Sequence, residues 1–128
     1  MVNKVFVDSG GLLQILVIGP QTRESVREMG EKLGFYVRQL RTESRPVLIL
    51  DNLIQLGRTT SEARAEVARL ARSLDYDRAA MVGDGSWPMR YGTNLMLRAI
   101  GRSNVRYFSN LGSAEKWLKA FYQERVVG

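Results

Sequence analysis

Asp51 closes an apolar run at residues 47–50, and hydroxyl and guanidinium side chains follow within thirteen positions: Arg58, Thr59, Thr60, Ser61 and Arg64. A carboxylate delivered by a strand with no polar face, close to a hydroxyl-rich helix start, is a place where α/β proteins build sites. Hydroxyls there cap free N–H groups, and guanidinium groups present forked donors to carboxylate or phosphate. Downstream, Trp87 and Tyr91 stand among Met81, Met89, Leu95 and Met96, a soft apolar set that adapts to irregular contacts. Each feature also has a plainer role. Thr59 with Glu62 has the spacing of a capping box, and Asp51 can bond to loop N–H groups. Trp87 can pack beneath the helix it opens or wall a pocket, and the methionines can fill core.

Composition removes more chemistry than it suggests. The chain has 128 residues and neither histidine nor cysteine, so Ser-His-Asp and Cys-His catalysis, thiol chemistry and His-ligated metals are excluded. An enzyme would have to use Asp51, Asp84 and Tyr91, so the expectation is a domain without catalysis, metal or cofactor. A phosphoacceptor role for Asp51 needs further carboxylates to hold Mg²⁺ at the end of the first strand series, where Gly19-Pro20 stands instead. Gly83-Asp84-Gly85 is a fragment of a dinucleotide fingerprint, but Trp87-Pro88 replaces the helix-opening glycine, leaving a turn. Net charge is +6 and fifteen of the nineteen basic residues are arginine. They are scattered from Arg23 to Arg125 without a basic run or interleaved aromatics, which argues against nucleic acid. No apolar stretch reaches bilayer length and no signal-peptide pattern opens the chain, so a cytoplasmic domain is expected.

The elements that must position these residues follow from periodicity. Residues 4–8 and 12–18, joined by Asp8-Ser9-Gly10-Gly11, read as an antiparallel hairpin. Thr22 caps a helix whose stripe is Val26, Met29, Leu33, Val37 and Leu40, fading by Ser44 before Pro46. Gly30 and Gly34, one turn apart, imply close approach to the sheet or to another chain. The strand at 47–50, nine connecting residues and a helix starting at Thr59 or Thr60 come next, the helix burying Ala63, Val67, Leu70 and Leu74. Two further strand-helix units follow: 79–82 with a helix from Ser86-Trp87-Pro88 to Ile100, and 105–108 with a helix burying Ala114, Trp117, Leu118 and Phe121. Gly101 supplies a helix stop. The expectation is a single α/β domain over 1–128, with four helices and a five-stranded sheet, parallel apart from one hairpin strand.

That element order, with LILDNL at 48–53, AAMVGDGSW at 79–87, and VRYF followed by SAEKWL within 105–118, resembles the STAS fold of anti-sigma-factor antagonists. It is similar in particular to the SpoIIAA-like, or STAS/SEC14-related, branch, across about residues 9–121. Typical antagonists carry Asp-Ser-Ser-Gly at the start of the second helix, the first serine being the phosphoacceptor. The resemblance sets Thr59 at the Asp, Thr60 at the phosphorylated serine and Ser61 beside it, with the Asp and the Gly missing here. Phosphate on Thr60 would meet the helix N-terminus, Arg58 and Arg64. The resemblance implies a non-catalytic regulatory domain that binds a protein partner and pairs with itself. Its partner or ligand surface is expected at Asp51, Asn52, Arg58, Thr59, Thr60, Ser61, Arg64, Trp87 and Tyr91. The SEC14-like kinship implies an alternative, a lipid or small apolar ligand in a pocket between helices two and three.

Overall fold

The computed structural model describes residues 3–127. The elements run β1 (Lys4–Val7), β2 (Leu13–Leu16), β3 (Gly19–Gln21), α1 (Arg23–Thr42), β4 (Leu48–Asn52), β5 (Leu56–Thr59), α2 (Ser61–Ser73), β6 (Arg78–Val82), α3 (Trp87–Ile100), β7 (Val105–Phe108) and α4 (Leu111–Val127). Five strands form the main sheet in the order β1-β2-β4-β6-β7. β1 and β2 pair antiparallel, and every other pairing in that sheet is parallel. The expected hairpin, strand-helix alternation and four helices are therefore all present.

β4 lies at the centre of the sheet and is covered on both faces, which is why its sequence shows no polar side before Asp51. Leu48 and Leu50 are fully buried in a core shared with Leu12, Ala80, Val82, Ala114 and Leu118, under α4 alone. Ile49 faces the opposite core, made with α1, α2 and α3. Burying each such leucine contributes about 1.5–3 kcal/mol, so the strand's position is strongly specified. Strand alternation then puts Asp51 on the same face as Ile49, beneath three helices and opposite Ile15 and Met81 in the ladders.

Local signals explain the helix ends. Thr22 and Ser25 form a reciprocal capping box at the start of α1, and all five expected stripe residues are buried. Ser86 caps α3, with Pro88 in its first turn, and Gly101 ends it in the left-handed region at φ 69°.

Four expectations need correction. The nine residues after position 50 are not an open connection: β4 continues to Asn52, and β5 pairs parallel with β3 as a second, two-stranded sheet. Those two segments contain Gly, Pro and few β-branched residues, so propensity does not mark them as strands; pairing makes them so. The cap of α2 is Thr60, whose hydroxyl accepts from the Ala63 N–H at 3.0 Å, not a Thr59–Glu62 box. Extended pairing carries Thr59 into β5 and shifts the helix start by one residue. Gly30 meets α2 rather than the sheet, since a Cβ there would fall 2.8 Å from the Leu70 methyls. Gly34 has only the flexible end of Arg38 nearby.

Candidate functional site

Asp51 is held inside β4, so its side chain cannot swing to the loop N–H groups that would satisfy a carboxylate at a strand end. Its Oδ1 is fully buried without a hydrogen-bond partner among the described residues, which corrects the expected loop-bonded role. Leaving a buried polar atom unmatched costs about 1–3 kcal/mol, and more for a charge. With no donor nearby, burial alone pushes this carboxyl up to about 7, disfavouring the charged form.

Above Asp51 a cavity of about 280 Å³ opens between α2 and α3. Met29, Met81, Met89 and Met96 line it from α1, β6 and α3, while Ala63 and Val67 form the α2 wall. Leu56, Gly57 and Thr59 of β5 make the lip, with Arg64 beside them. The two-stranded sheet thus builds one edge of the cavity. A smaller void of about 60 Å³, bounded by Ile49, Leu70, Tyr76 and Val105, lies on the other side of Asp51. Asp51 lines both spaces and, among the described residues, is the only acidic group lining either.

The expected surface is brought together only in part. Asp51, Thr59 and Arg64 line the cavity. Arg64 donates from Nη1 to the Thr59 carbonyl at 2.9 Å and to its hydroxyl at 3.3 Å, tying α2 to the lip. Thr60 and Ser61 are exposed at the start of α2, Thr60 as its cap, and Arg58 is exposed in β5. Asn52 turns away to accept the Ile54 N–H at 3.0 Å. Trp87 neither walls the cavity nor packs beneath α3: it is 74% exposed and stacks on Tyr91 with ring centroids 5.3 Å apart. Its neighbour Pro88 is the residue that reaches the cavity. Asp84 binds the Ser86 N–H in the turn, so Asp51, Asp84 and Tyr91 do not converge.

Several lining residues were not foreseen from the sequence. Gln21 is buried in a reciprocal amide pair with Asn3, at 2.8 and 3.0 Å, and also faces the cavity. Thr93 is buried on α3, and Gly92 beside it leaves the wall open because a Cβ there would meet nothing within 4 Å. The helical spacing of Met89, Thr93 and Met96 is the signal that could have placed Thr93 among them. Among the described residues no group of His, Cys, Asp and Glu is arranged to hold a metal ion, and no helix is long and apolar enough to cross a membrane.

A mostly parallel five-stranded sheet with an N-terminal hairpin, three helices on one face and one on the other defines an α/β domain of the STAS type. The SpoIIAA-like family profile matches residues 12–119, and the chain belongs to that family. A crystal structure of an uncharacterised DUF3478-family protein with a SpoIIAA-like fold, from Shewanella loihica PV-4, superposes with a TM-score of 0.64. It covers 91% of this chain and 92% of its own at 16% identity, a likeness of fold. No curated protein matches the sequence.

Proposed function

We propose that this domain works by binding rather than by catalysis, taking a small and mainly apolar ligand into the cavity between α2 and α3. The observation that carries this reading is the cavity itself: about 280 Å³, lined by four methionines and aliphatic side chains, with Asp51 as the acidic group in its wall. Sites for small ligands are concave and mostly apolar with few polar groups, and this one has that character. An apolar cavity of about 150 Å³ holds a benzene ring, so by proportion this one suits about eleven non-hydrogen atoms. The separation of Asp84 and Tyr91 from Asp51 supports binding over chemistry.

Methyl NMR of the methionines tests the reading. Butylbenzene should shift the methyl signals of Met29, Met81, Met89 and Met96 together and saturably. Gly92→Phe, at a position with open space for a side chain, should fold normally and abolish the shifts. Unperturbed methyls at saturating butylbenzene would remove the proposal.

A second reading, a regulatory domain that binds a protein partner or its own copy, is favoured by the exposed Trp87–Tyr91 stack on α3. Aromatic and arginine side chains are enriched where protein partners bind tightly. Thr60, exposed at the α2 cap, is the hydroxyl proposed to switch that contact by phosphorylation. Size-exclusion and partner capture with Trp87→Ser and Thr60→Glu test it, and unchanged behaviour in both variants counts against it.

A further inference from the structure

We infer that the ligand carries a hydrogen-bond donor at its inner end, and specifically a protonated amine that pairs with Asp51. This rests on the reading of the cavity as a ligand site and narrows it to a chemical class. The inference comes from what surrounds the carboxyl. Oδ1 is buried, and no N–H or O–H among the described residues reaches it. Its strand neighbours Ile15 and Met81 are apolar, as are Met29 from α1, Val67 from α2 and Met89 and Met96 from α3. Uncharged Gln21, Thr59 and Thr93 complete the polar lining of the main cavity apart from Arg64. Arg64 is exposed at the mouth and already bonded to Thr59, where solvent screens it. Tyr76 faces the smaller void and donates to the Ala71 carbonyl at 2.6 Å.

A pocket shaped for an anion would set a cation or free donors against its inner wall, whereas the one acid in this lining is Asp51 and its one cation, Arg64, is exposed at the mouth and tied to Thr59. A hydrocarbon end would leave the carboxyl unmatched, and a carboxylate end would set two acids face to face. An amine delivers the missing donors and a counter-charge in surroundings where an ion pair is weakly screened. Pairing needs the ionised acid. Because burial holds the carboxyl at about 7, amine binding below that pH displaces a proton from Asp51 to solvent.

Four probes on one skeleton decide the matter: butylbenzene, phenylbutanol, phenylbutyric acid and phenylbutylamine, measured by calorimetry on the intact chain. Phenylbutylamine should bind about tenfold more tightly than butylbenzene or phenylbutanol at pH 8, the scale of one charge-assisted hydrogen bond. That advantage should shrink by about tenfold by pH 6, with close to one proton released per amine bound in buffers of differing ionisation heat. Asp51→Asn should erase the preference and the proton release, so that phenylbutylamine binds the variant no more tightly than butylbenzene does. Butylbenzene or the acid binding as tightly as the amine at pH 8 would overturn the amine assignment and leave the cavity reading standing. Failure of all four probes would take both down.

Discussion

Replacing Asp51 by Asn should flatten the stability of this protein across the pH range where the wild type loses stability. The sign follows from the direction of the shift: the folded carboxyl sits at about 7, above its ordinary 3.8. Below pH 3.8 both states are protonated and burial of the acid carries no pH-dependent cost. As pH rises from 3.8 to 7 the unfolded chain gives up the proton while the folded one keeps it, so folding weakens. Above 7 the folded state ionises too and the loss levels off. Linkage puts the full loss at about 4 kcal/mol, of which about 2 kcal/mol falls between pH 5 and pH 7. That is a large share of the 5–15 kcal/mol typical of a domain, on the order of one third of a mid-range value. The window is unusually clean, because the chain has no histidine and the other carboxyls with resolved shifts, Asp8, Glu66, Asp84 and Glu124, are lowered and titrate below it. Urea unfolding at half-unit pH steps measures the curve. Asn keeps the shape of the side chain but cannot ionise, so the difference between the two curves isolates the acid. Parallel curves from pH 5 to pH 7 would show that Asp51 ionises normally, and the account of its buried, unpartnered oxygen would be wrong.

Two other substitutions probe how the site is framed. Gly57→Ala would place a Cβ 2.8 Å from the Gly19 carbonyl carbon and the Pro20 nitrogen. Because backbone cannot yield cheaply, we expect a loss of about 1–3 kcal/mol in urea unfolding, together with weaker butylbenzene binding as β5 leaves β3. Thr60→Ala removes the hydroxyl that caps Ala63 and should cost about 1 kcal/mol, whereas Thr59→Ala should cost less. The reverse order would return the cap to Thr59.

Much of this architecture was legible in the chain. The stripe of α1 and the Pro88 and Gly101 boundaries of α3 are local signals, and local backbone chemistry obeys them wherever the segment lies. The uniform apolarity of residues 47–50 announced a central strand because a strand covered on both faces has no position left for a polar side chain. The same periodicity, continued one residue, would have turned Asp51 inward. Read from the apolar run alone, the carboxylate falls at the strand's end, where solvent or loop N–H groups could satisfy it.

What no local signal carried was the second sheet and the space it borders. Gly19-Pro20-Gln21 and Leu56 to Thr59 have weak strand propensity, and they pair because the chain returns them side by side. That pairing moves the α2 cap to Thr60 and sets Gly57 and Thr59 at the cavity's lip. Trp87 shows the limit in the other direction: a large aromatic side chain at a helix start suggests burial, yet the direction of α3 leaves it outside with Tyr91. The sequence alone determined which segments are helices, which strand is innermost, and the absence of histidine and cysteine chemistry. Only the tertiary structure decided that Asp51 Oδ1 meets no donor among the described residues and that four methionines line a cavity beside it. Burial and cavity shape are properties of how separate segments meet, and no single segment encodes them.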